Sequence, residues 1–129
     1  MKVHHIGYYV PSIEDAQKEF ASFGYMPEGG CTHDEERRVY IQFLRNDGTL
    51  VELVAPSEGC TLFPKSMRKN GAVPYHICYE CEDLDTEVEE WQRKGFLLLH
   101  APSVAVAIHG RRVAFLYGGA TGLIELVEM

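Results

Sequence analysis

The stretch Val3-His4-His5-Ile6-Gly7-Tyr8-Tyr9-Val10 is answered later in the chain by Tyr75-His76-Ile77-Cys78-Tyr79-Glu80-Cys81. A second pair repeats with it: Val51-Glu52-Leu53-Val54 and Ile124-Glu125-Leu126-Val127. The interval from His5 to His76 nearly equals that from Glu52 to Glu125, so each half carries one histidine and one glutamate at the same place in its pattern. Apolar alternation marks all four stretches as strands. Such a repeat predicts two copies of one module with a metal ion held between them.

Working outward, each half reads as a strand, a helix and then further strands. In the first half the opening strand is followed by Ser12, a helix N-cap with Asp15 three residues on. Ile13, Ala16, Phe20 and Phe23 then keep helical spacing, and Gly24 ends the helix. In the second half Asp83 caps, Leu84, Val88 and Trp91 line one face, and Gly95 closes. Extended runs follow at 39–44 and 50–54, joined by Asn46-Asp47-Gly48, and at 113–117 and 123–127. Shorter runs at 25–27 and 96–100 supply one more strand each. The fold class expected is α+β: two βαβββ modules in tandem, forming a curved mixed sheet around a cleft. The first module covers about 1–55, a connector 56–74, and the second module 75–129, within one domain of 129 residues.

Strand alternation sorts the side chains. Ile6, Tyr8 and Val10, with their counterparts Ile77, Tyr79 and Cys81, are expected to pack on the helices. His5 and His76 stand on the opposite faces, and His4 falls on the wrong face for the site. Glu52 shares a face with Leu50 and Val54, and Glu125 with Leu123 and Val127. An ionised carboxylate among such neighbours costs several kcal/mol unless paired or coordinated. The predicted ligands are therefore His5, Glu52, His76 and Glu125. Two imidazoles and two carboxylates suit one divalent ion such as Zn²⁺, Ni²⁺, Co²⁺ or Mn²⁺, and six-coordination would leave two positions for water or substrate oxygens.

The remaining features narrow the function classes. The net charge of −7 and the absence of a basic run exclude nucleic acid and an anionic membrane as main partners. No leader-like segment opens the chain and no apolar run could span a bilayer, so the expected location is cytoplasmic. Cys78 and Cys81 match C-x-x-C, but on a strand residues three apart face opposite ways, so they read as small buried hydrophobes. His33, His100 and His109 have no companion at ligand spacing and read as surface residues.

At these residues the chain resembles the vicinal oxygen chelate superfamily, also called the glyoxalase/bleomycin-resistance/dioxygenase fold. Within it the chain is most similar to the methylmalonyl-CoA epimerase family. The likeness rests on Lys69-Asn70-Gly71-Ala72-Val73-Pro74-Tyr75-His76-Ile77, Arg112-Val113-Ala114-Phe115-Leu116, Gly122-Leu123-Ile124-Glu125-Leu126-Val127-Glu128, His5-Ile6-Gly7 and Glu52-Leu53-Val54-Ala55-Pro56. The resemblance implies a glyoxalase-like fold, a homodimer, and a metal-dependent epimerase acting on a small-molecule substrate such as an acyl-CoA. In that chemistry the metal polarises the thioester carbonyl, a carboxylate base removes the α-proton, and the other face receives one back.

The epimerases carry a further glutamate on the strand corresponding to 39–44, where this chain offers Tyr40 and Gln42. Proton transfer would therefore fall to Glu125 or Glu52. A lyase resembling glyoxalase I (lactoylglutathione lyase) is the second expectation, on a different thiol adduct. The places of that family's glutathione-binding arginine and asparagine hold Tyr9 and Pro56. Extradiol dioxygenases, with a two-histidine, one-carboxylate iron site, come third. The non-enzyme alternative is a small-molecule binding protein of the bleomycin-resistance kind.

Overall fold

The computed structural model describes all residues, 1–129. The chain forms eight strands and three α-helices: β1 Val3–Tyr9, α1 Ile13–Ala21, β2 Met26–Asp34, β3 Val39–Asn46, β4 Thr49–Pro56, α2 Lys65–Lys69, β5 Val73–Cys81, α3 Leu84–Arg93, β6 Leu97–Ala105, β7 Arg111–Gly118 and β8 Gly122–Glu128. These elements divide into two compact units, residues 6–74 and residues 1–5 with 75–129. The expected strand–helix–three-strand plan appears in each, and the architecture is the glyoxalase-like fold.

In the unit of residues 6–74 the strands run in the order β2-β3-β4-β1. β1 and β4 are parallel, and β2, β3 and β4 form an antiparallel meander. Val10, Ala16, Leu44, Val51, Leu53 and Ala55 make its core, with Tyr8, Ile13, Phe20 and Tyr25 packed against them. Ser12 caps α1, its hydroxyl accepting from Asp15 N–H.

The other unit repeats the order as β5-β8-β7-β6. Its parallel pair is β5 with β8 and its meander is β6-β7-β8. Cys81, Leu84, Val88, Ala114, Leu116 and Leu126 form the core, with Trp91 and Phe96 against it. Asp83 caps α3 by accepting from Thr86 N–H. Gly24 and Gly95, at φ +96° and +99°, turn the chain out of the two helices through the left-handed region.

Several expectations need correction. α1 ends at Ala21, so Phe23 leaves the helix and is exposed. Ile6 is only half-buried and Ile77 is exposed, whereas Tyr8, Val10, Tyr79 and Cys81 of the same faces pack in the two cores. The runs at 25–27 and 96–100 are parts of nine-residue strands, β2 and β6. The connector contains the five-residue α2.

Candidate metal centre

His5, His76 and Glu125 meet within one unit. β1 brings in His5, whose neighbour Lys2 accepts from the Glu80 N–H of β5 at 2.9 Å. β5 carries His76, and β8 carries Glu125. His5 Nε2 lies 3.1 Å from His76 Nε2 and 3.1 Å from Glu125 Oε2, while His76 Nε2 lies 2.9 Å from the same oxygen. All three residues are buried, none more than 4% exposed.

Electrostatics explains how the carboxylate survives there. Burial alone would push the Glu125 carboxyl up. The His5 and His76 imidazoles beside it overcome that and hold it well below the usual carboxylate range. The same oxygen, Glu125 Oε2, lies within 3.1 Å of both imidazole Nε2 atoms. Three buried donor atoms thus meet within 3.1 Å of one another.

The edge lengths specify the fit. With metal–ligand bonds of about 2.0–2.1 Å, donors at right angles stand roughly 3.0 Å apart and donors at the tetrahedral angle about 3.4 Å. The observed edges of 2.9 to 3.1 Å are short enough for His5, His76 and Glu125 to share one ion, and they are also hydrogen-bond lengths. Two imidazoles and a carboxylate are donors for a borderline divalent ion, so the chain contains a possible His/Glu metal site.

Glu52, the fourth predicted ligand, is described within the other unit. It is 5% exposed on β4, a strand buried from Leu50 through Ala55. It lies beside Gly7 of β1 on one side and Phe43 of β3 on the other. Glu125 has the equivalent surroundings, Cys78 of β5 and Phe115 of β7. In both modules the glutamate thus stands next to the residue two places after the histidine, and paired residues of neighbouring strands share a face. Glu52 therefore lies on the Gly7 face of the β1–β4 ladder, as Glu125 lies on the Cys78 face of β5–β8.

Two features of the site were not anticipated. Phe43 and Phe115 occupy matching positions beside the glutamates, and Phe115 meets His76 edge-on at 5.6 Å between ring centroids. The repeated Phe43-Leu44 and Phe115-Leu116 dipeptides carry that signal in the sequence. His4, placed on the wrong face by alternation, brings its Nδ1 to 2.8 Å from His5 Nδ1. Alternation describes the Cβ direction, and an imidazole reaches beyond it.

The other candidates lie outside the centre. Cys78 and Cys81 are both buried on opposite faces of β5. Burial, with the Glu87, Glu128 and Asp83 carboxylates nearby, pushes the Cys81 thiol up to about 11, so it is no nucleophile. His33, His100 and His109 are exposed, as expected of surface residues. No helix is long and apolar enough to cross a membrane.

Comparison with known proteins shows which proteins this chain resembles. The chain is 25% identical over 117 residues to an ethylmalonyl-CoA/methylmalonyl-CoA epimerase of Cereibacter sphaeroides, covering 90% of this chain and 87% of that one. Among solved structures it superposes on a hypothetical protein from Bacillus halodurans with a TM-score of 0.85 and 26% identity, over 99% of this chain and 94% of the other. It also matches the fold of a Streptomyces coelicolor methylmalonyl-CoA epimerase variant in complex with 2-nitronate-propionyl-CoA, with a TM-score of 0.83 and 24% identity, over 99% and 96% of the two chains. Residues 4–115 match the family model described as glyoxalase/bleomycin resistance protein/dioxygenase superfamily, and with both modules, their register and the His/Glu cluster in place, the chain belongs to that superfamily.

Proposed function

We propose that this chain is a divalent-metal-dependent epimerase of a 2-carboxyacyl-CoA, with His5, Glu52, His76 and Glu125 as the ligands. The observation that carries the reading is the buried triangle of His5, His76 and Glu125, with Glu52 in the register that mirrors Glu125. The epimerase names among its relatives support the substrate class. A bound ion would supply Lewis-acid polarisation of the thioester carbonyl, which acidifies the adjacent C–H.

The chain's own residues would then move the proton. β3 presents no carboxylate: Tyr40 is exposed, and the Gln42 amide donates to the Gly29 and Phe43 carbonyls. We assign proton removal from the α-carbon to Glu52, with Glu125, whose Oε2 lies within 3.1 Å of both imidazole nitrogens, as an anionic ligand; the proton returned to the opposite face would come from solvent.

The test compares two variants for metal content and for α-proton exchange into deuterated water with methylmalonyl-CoA. Glu52→Gln is expected to keep its metal, because the amide oxygen can still ligate, and to lose exchange by about 100-fold or more. Glu125→Gln, which removes the negative charge that both His5 and His76 nitrogens face, is expected to reduce both metal content and exchange. Full exchange by metal-free protein would sink the mechanism, and a metal-loaded protein inert toward acyl-CoA esters would return the choice to a lyase or a binding protein. A homodimer belongs to the same reading. Its support is the exposed apolar side chains Leu97, Leu99 and Val104 of edge strand β6, and light scattering of the purified protein checks it.

A further inference from the structure

We propose that His4 is a positioning residue for the metal centre: its Nδ1 accepts a hydrogen bond from His5 Nδ1–H, which fixes the His5 ring with its Nε2 lone pair turned toward His76 and Glu125. The inference rests on the reading of His5 as a metal ligand. The two Nδ1 atoms are 2.8 Å apart, too close for two lone pairs to face each other, so one nitrogen carries the proton. A neutral imidazole holds one N–H. If His5 Nε2 is to donate electrons to an ion, the His5 proton must sit on Nδ1, which leaves His4 Nδ1 as the acceptor and the His4 proton on Nε2. The ring centroids are 5.1 Å apart, about the 2.8 Å between the nitrogens plus roughly 1.1 Å from each nitrogen to its own ring centre, so the two Nδ1 atoms face each other along their outward, in-plane directions.

A ligating histidine ordinarily donates its second N–H to a carboxylate, a backbone carbonyl or water, and loss of that partner weakens metal binding about 10–100-fold. Here an adjacent imidazole takes the place of that acceptor. The arrangement also explains why two consecutive histidines are useful on a strand whose alternate residues face apart: His5 supplies the metal donor, and His4 reaches around the backbone to orient it.

The experiment uses the full chain with ¹⁵N-labelled histidine, metal-free and zinc-loaded, together with zinc titration calorimetry. In wild type, scalar coupling across the hydrogen bond is expected to link the two Nδ1 nuclei. His4→Ala should lower zinc affinity about 10–100-fold. His4→Asn, whose Oδ1 sits where Nδ1 was, should recover most of that loss, which a general packing role would not predict. Absence of the Nδ1–Nδ1 coupling in wild type, or equal zinc affinity in wild type and His4→Ala, would overturn the role of His4 alone. Failure of the wild type itself to take up zinc would instead sink the metal reading beneath it.

Discussion

At the scale of single residues, two buried glutamates dominate the energetics. Desolvating a carboxylate costs several kcal/mol even after relaxation, against a total stability of about 5–15 kcal/mol for a domain of this kind. Glu125 offsets that cost through His5 and His76, both within 3.1 Å. Removing one partner should leave an undercompensated buried charge. His76→Ala is therefore expected to lower the stability of the metal-free protein by about 3–5 kcal/mol in urea denaturation, as well as to abolish metal uptake. A loss below about 1 kcal/mol would mean that Glu125 finds another partner.

At the scale of elements, α3 is tied to its sheet by charge as well as by Leu84 and Val88. Glu128 of β8 accepts from the Leu84 N–H at the start of α3 and from the Arg112 guanidinium of β7, which also binds Asp85. The Arg112 hydrogen bonds, then the Leu84 N–H, hold the Glu128 carboxyl below its ordinary value of 4.5. A carboxylate with a depressed folded-state pKa stabilises the protein above the unfolded pKa, and that contribution is lost as pH falls through the folded one. The difference in thermal midpoint between wild type and Glu128→Gln should therefore be present near neutrality and shrink below about pH 4.5. A constant difference would assign the effect to packing. A second test concerns the β7–β8 hairpin. A methyl group on Gly118 would come within 2.5 Å of the Phe96 ring and 2.6 Å of Thr121 Oγ1, so Gly118→Ala should cost about 1–3 kcal/mol by denaturant titration.

At the scale of the whole molecule, one module has been written twice, and its cores should respond alike. Leu53 and Leu126 hold equivalent places in β4 and β8 and are both fully buried. Leu53→Ala and Leu126→Ala are each expected to cost about 2–5 kcal/mol, measured by urea unfolding. The elements themselves were legible to different degrees. The central strands β1, β4, β5 and β8 announce themselves because burial enforces an apolar pattern. β2 and β6 show in the sequence only as short runs because each breaks register, β2 between Glu28 and Thr32 around Gly29-Gly30, and β6 between Leu98 and Ser103 around Pro102. At a bulge the side-chain alternation that identifies a strand is interrupted, while the backbone pairing continues.

The sequence by itself determined the duplication and the two helices with their Ser12 and Asp83 caps, and it raised the expectation that His5, Glu52, His76 and Glu125 form one site, because these follow from periodicity and from the cost of burying charge. Only the tertiary structure decided that His5, His76 and Glu125 converge on a triangle with edges of 2.9 to 3.1 Å, and that His4 meets His5 through Nδ1. Those facts depend on ring rotation and on strand neighbours far apart in the chain, neither of which alternation along a single strand encodes.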